Sequence, residues 1–113
     1  MATAYKILGR SAPAATTWDT MYIAPSSGDA CAKVSTLLVA NRGATTTFRI
    51  AFLRAADSEL SPPNIAIAYY DIPLPSADTW AATIGVTLGP DEKIVVYAGH
   101  GDVTFQVFGA EVT

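Results

Sequence analysis

Apolar residues at every second position recur in about eight short segments of this chain. That period of two constrains the fold more than any other feature. Successive side chains of a strand point to opposite faces, whereas the apolar stripe of a surface helix returns every three to four residues. Thr47 to Leu53 sets Phe48, Ile50 and Phe52 on one side and Thr47, Arg49 and Ala51 on the other. Thr79–Leu88 carries the longest such face, with Trp80, Ala82, Ile84, Val86 and Leu88 aligned as a core stripe. Further strands are predicted at Tyr5–Leu8, Trp18–Ile23, Lys33–Asn41, Thr45–Arg54, Ile65–Ile72, Lys93–Ala98 and Val103–Phe108. Lys33–Asn41 is fairly apolar on both faces, which predicts a central position in a sheet.

The junctions carry turn residues. Asn41-Arg-Gly43 lies between two strands and predicts a hairpin, because Asn and Gly tolerate left-handed backbone at low cost. Gly99-His-Gly-Asp102 predicts a second hairpin loop, and Pro25-Ser-Ser-Gly-Asp29, Ser76-Ala-Asp78 and Gly89-Pro-Asp91 predict turns. Ala55 to Asn64 is the least regular stretch: Pro62-Pro63 excludes it from a central strand, and Ala55–Leu60 has room for a single helical turn. Short strands at regular spacing, with Gly or Pro at most junctions, predict an all-β antiparallel sandwich, jelly-roll-like or Greek-key, formed by one domain over residues 1–113.

Only 15% of the 113 residues are charged while 50% are apolar, against about 25% charged in an average soluble domain. A small domain has much surface for its volume, so the surplus apolar area predicts burial against other copies of the chain. The net charge is −3, and Lys6, Arg10, Lys33, Arg42, Arg49, Arg54 and Lys93 are scattered. No basic stripe exists to displace counterions from phosphates, which argues against a nucleic-acid partner. Apolar runs such as Ile65 to Tyr70 fall far short of the roughly 20 residues of a membrane helix. The start, Met1-Ala-Thr-Ala-Tyr-Lys6, lacks the basic and apolar regions of a secretory signal, and a lone Cys31 cannot form an internal disulfide. Both predict a product made in a cytoplasm.

Reactive residue types are scarce, with one His and one Cys in the chain. His100, between two glycines, is expected as an exposed turn residue, and Cys31 as a small packed side chain. Asp19, Asp29, Asp57, Asp71, Asp78, Asp91 and Asp102 fall mostly at strand ends or turns, where aspartate accepts from backbone amides. Asp57-Ser-Glu59 lacks the further oxygen ligands of a calcium site, and neither Gly99-His-Gly-Asp102 nor Gly85-Val-Thr-Leu-Gly89 matches a phosphate or dinucleotide loop. The expectation is therefore no catalytic residue, no metal and no cofactor. Aromatic residues are the better candidates, because they join large apolar area to a polar tip. Trp80 belongs to the core stripe. Adjacent Tyr69 and Tyr70 must point to opposite faces of their strand, so one lies outside the core, and Trp18 stands at a loop-to-strand junction. Trp18, Tyr69 and Tyr70 are the predicted interface residues.

In order, Tyr5-Lys-Ile-Leu-Gly9 with Ser11 and Pro13, Ser35-Thr-Leu-Leu-Val39 with Asn41-Arg-Gly43, Thr47-Phe-Arg49, Tyr69-Tyr-Asp71, Gly85-Val-Thr-Leu88 and Phe108-Gly-Ala-Glu111 resemble a family of small virion structural proteins of tailed bacteriophages. The resemblance spans almost the whole chain, except for the tract Asp57 to Pro63. It implies a non-enzymatic β-sandwich subunit of the virion. The leading expectation is a capsid decoration or cement protein that forms a homo-oligomer, such as a trimer, and clamps the major capsid protein. A tail- or baseplate-associated subunit bound to tail proteins is the alternative within the same particle. A carbohydrate-binding module for host adsorption, using Trp18 with Tyr69 or Tyr70, is the alternative from a different class.

Overall fold

The computed structural model describes residues 3–26, 28 and 30–113, so the turn expected at Pro25–Asp29 and the candidate carboxylate Asp29 fall partly or wholly outside the described residues. Eight strands follow one another: β1 (Thr3–Ser11), β2 (Asp19–Ile23), β3 (Cys31–Asn41), β4 (Thr46–Leu53), β5 (Ile67–Leu74), β6 (Thr79–Leu88), β7 (Lys93–Ala98) and β8 (Val103–Val112). They form two antiparallel four-stranded sheets, ordered β1-β8-β3-β6 and β2-β7-β4-β5. Every connection except β4 to β5 passes from one sheet to the other, and this is the jelly-roll form of the sandwich. As its two apolar faces predict, β3 is central, flanked by β8 and β6.

The two hairpins expected at Asn41-Arg-Gly43 and Gly99-His-Gly-Asp102 do not form. β3 and β8 lie in the first sheet and β4 and β7 in the second, so both loops are arches between sheets. Side chains take over the bonding that a ladder would supply. The buried Asn41 amide donates to the carbonyls of Ala44 (2.8 Å), Leu74 (3.1 Å) and Pro75 (3.2 Å), and its Oδ1 accepts from the Gly43 amide (2.9 Å). One side chain thereby joins the β3–β4 arch to the β5–β6 arch. His100 staples the neighbouring arch: its Nδ1 accepts from the Asp102 amide (3.1 Å), which leaves Nε2–H to donate to the Ala44 carbonyl (2.6 Å).

The inward stripes of both sheets meet in one core, centred on Phe48, Ile50, Ile94, Val96, Phe105 and Val107. Phe105 meets Phe48 edge-on at 6.0 Å between ring centres. The β6 stripe faces the same core, yet of its members only Leu88 is buried, with Trp80, Ala82, Ile84 and Val86 half-buried. The reason is position: β6 is the last strand of its sheet, so each inward side chain has a neighbour on one flank only. Glycine is required at position 109, where a Cβ would strike the Lys33 carbonyl across the β3–β8 pair.

The irregular tract between β4 and β5 holds no helical turn at residues 55–60; a single 3₁₀ turn forms later, at Asn64–Ala66. That turn takes the first two residues of the strand expected from Ile65, and the strand begins at Ile67. The tract folds back as a flap over the outer face of the second sheet. There it helps to close a small second cluster of Ala51, Leu53 and Val95, packed by Trp18, Ala66 and Ile67.

Candidate functional site

The outer face of the second sheet carries the most organised set of surface side chains. Alternation along β7 turns Ile94, Val96 and Ala98 into the main core and leaves Lys93, Val95 and Tyr97 on the opposite face. On β4 the same rule sends Arg49 outward, directly opposite Tyr97. β5 bulges opposite Arg49, since Phe48 pairs with Ile72 and Ile50 with Tyr69. The bulge presents Tyr70 and Asp71 to the guanidinium, and Asp71 adopts left-handed backbone there (φ 50°).

These strands assemble a transverse row. Trp18, just ahead of β2, sits 5.3 Å from Tyr97, ring centre to ring centre, at a 48° tilt. The Arg49 guanidinium lies 4.4 Å from the Tyr97 ring centre and 4.4 Å from the Tyr70 ring centre, between the two rings. Its Nε donates to Asp71 Oδ1 at 2.7 Å. The Asp71 hydrogen bond, more than any other contact, raises the Arg49 pKa above its ordinary value, partly offset by desolvation. Attraction of a cation to two aromatic faces and pairing with a carboxylate hold the row rigid, each face contributing about 0.5–1 kcal/mol at a partly exposed site.

The flap is latched beside this row. Lys93, its side chain only 9% exposed, donates from Nζ to the carbonyls of Ala55 (3.2 Å) and Asp57 (3.3 Å) and pairs with Glu59 Oε1 at 3.3 Å. The other Glu59 oxygen accepts from the Thr20 hydroxyl at 2.5 Å. The Thr20 hydrogen bond first, then Lys93, hold the Glu59 carboxyl below its ordinary range. The flap thus reaches from β4 across β7 to β2. It carries Leu60 (79% exposed) and Ile65 (96% exposed), and Tyr70 on the adjacent strand is 60% exposed. Asn64, Ile67 and Tyr70 line a cleft at its foot.

Of the three residues singled out in the sequence, Trp18 and Tyr70 lie on this face, at the two ends of the row. Tyr69 does not. It turns inward and meets Trp80 edge-on at 5.0 Å, which takes it out of the outer surface and settles which of the adjacent tyrosines lies outside the core. Tyr97 and Arg49, which connect Trp18 to Tyr70, were not among the predicted residues. The period-two partners of Val95 and Ala51 would have placed both on one face.

A second polar cluster joins the sheets where β1, β2 and β8 meet. Glu111 accepts from the Tyr22 hydroxyl and pairs with Lys6 at 2.7 Å. The Lys6 contact, then the Tyr22 bond, lower the Glu111 pKa, and burial, then Glu111, raises that of Tyr22. Both shifts lead away from neutrality, the reverse of what a general acid or base requires, and they suit a structural tie. Several carboxylates serve turns as expected: Asp57 accepts from the Arg54 amide and Asp78 from that of Thr79, each at 2.9 Å. Cys31 is half-buried at the start of β3. Among the described residues no group of three or more His, Cys, Asp or Glu gathers as a metal site, and no helix is long and apolar enough to cross a membrane. Comparison with protein-family models, curated proteins and solved structures found no match to this chain.

Proposed function

We propose that the protein is a non-catalytic structural subunit of a tailed-bacteriophage virion, a decoration protein that docks on the assembled capsid through the flap side of its second sheet. The observation that carries this reading is the set of exposed large apolar side chains at Leu60 and Ile65 on the flap latched by Lys93 and at Tyr70 on the adjacent β5. Exposed apolar groups on a rigid support lose little conformational entropy on docking, which favours a partner surface. The ordered motifs from Tyr5 to Glu111 that resemble small virion proteins support the same reading. A closed lattice repeats one modest contact many times, so such a module reinforces a shell without chemistry. The test is mass spectrometry of purified particles of the encoding phage after heads and tails are separated. Recovery with heads is expected. Recovery with tails transfers the proposal to a tail or baseplate subunit, and absence from both fractions overturns it.

A second reading rests on Tyr70 and the Asn64 amide at the cleft. A half-open aromatic face beside a hydrogen-bonding amide is the arrangement that stacks a sugar ring and reads its hydroxyls. Binding on a glycan array that disappears in Tyr70→Ala would support adsorption to host carbohydrate, and a blank array would remove this reading.

A further inference from the structure

A sheet edge offers unpaired amides and carbonyls to other chains, and proteins blunt such edges with short strands, charges, prolines or bulges. Three of the four edges among the described residues are blunted. β1 carries Lys6 and Arg10; β2 is five residues long; β5 holds Pro73 and the Asp71 bulge. β6 differs. Its ten residues, TWAATIGVTL, include no charge and no proline. β6 does carry one extra residue against β3, between Thr83 and Val86, but its inward and outward side chains still alternate from Thr79 to Leu88. Behind this bare edge Trp80, Ala82, Ile84 and Val86 remain only half-covered.

We infer that β6 pairs antiparallel with β6 of a second copy, about a two-fold axis at Thr83. The strand is self-complementary in that register. On the outer face Thr79 meets Thr87, Ala81 meets Gly85 and Thr83 meets Thr83, all small side chains, two of the three kinds of pair being threonine on threonine. On the inner face Trp80 meets Val86 and Ala82 meets Ile84, which covers the stripe that the single sandwich leaves half-open. Like charges never face each other, since the strand has none. The contact is isologous and closes at two copies, unlike the trimer suggested by the resemblance, and joins two four-stranded sheets into one of eight. It needs no capsid and no flap, so it goes beyond the proposed function and stands or falls separately from it.

The experiment uses the full-length protein. Light scattering is expected to give twice 11.8 kDa, and Thr83→Lys, which sets two cations face to face at the axis, should weaken self-association roughly tenfold or more with the β-sheet circular dichroism unchanged. In a Cys31→Ser background, Thr83→Cys should give a reducible covalent dimer on oxidation, while Ala81→Cys, facing Gly85 of the other copy, should not. A monomeric wild type, a dimer indifferent to Thr83→Lys, or equal cross-linking at positions 81 and 83 would overturn the pairing.

Discussion

The Nε of Arg49 lies 2.7 Å from Oδ1 of Asp71, and the two meet because β5 carries an extra residue opposite Arg49, between Tyr69 and Ile72. Asp71 adopts left-handed backbone at this bulge, a conformation that aspartate accepts more readily than most residues. The bulge that blunts the β5 edge therefore also builds the outer row.

Arg49→Lys keeps the charge but loses the planar group that fits between Tyr97 and Tyr70. Chemical denaturation should show a loss of about 1–2 kcal/mol. Tyrosine and tryptophan fluorescence should also change, because Tyr97 touches Trp18. A variant as stable as the wild type would mean that the row is an accident of proximity.

Asn41 bonds three carbonyls and one amide from a buried position, so Asn41→Leu strands several of these groups without partners. The expected cost is about 3 kcal/mol or more, with the thermal midpoint as the readout. A loss under about 1 kcal/mol would contradict its role in joining the arches.

Lys93→Met keeps the length of the side chain and removes the latch. Hydrogen exchange should speed up across residues 54–66 while β3, β4 and β8 stay protected, and global stability should drop by about 1–3 kcal/mol. Unchanged exchange in the flap would show that its apolar contacts alone hold it.

Glu111 and Glu59 titrate below the ordinary carboxylate value in the folded protein. Their stabilising contribution is present above the unfolded value, roughly pH 4.3, and is lost as pH falls through the lower folded values. Thermal midpoints should hold from neutrality to about pH 5 and then decline, and Lys6→Met should shrink the Glu111 part of that decline. Tyr22 acts in the opposite direction: unfolded tyrosine ionises near pH 10 and the folded residue resists, so stability should fall above that pH. A midpoint that is flat from pH 7 to pH 2 would contradict the carboxylate assignments.

Alternation was enough to locate the strands, because a half-buried strand writes its two faces directly into the chain, as Phe48 and Ile50 against Arg49 illustrate. Partner choice was not legible. Asn41-Arg-Gly43 permits a sharp reversal whether the next strand joins the same ladder or the opposite sheet, and the deciding bonds, from Asn41 to Leu74 and Pro75, come from residues more than thirty positions away. The flap was opaque for the same reason: Lys93 reads as an ordinary strand charge until the chain brings Ala55, Asp57 and Glu59 around it. Trp18 and Tyr70 were legible as surface aromatics, while Tyr69 and Tyr70 could be assigned to opposite faces but not told apart, since the bulge at Asp71 decides which one turns inward.

The proposed docking of the flap on a capsid is open to direct test. The direct measurement is co-sedimentation of the purified protein with capsids assembled without it. Saturable binding is predicted, with loss of binding in Leu60→Asp and Ile65→Asp variants that keep the wild-type circular dichroism. Protein that stays in the supernatant, or variants that sediment as well as the wild type, would contradict it.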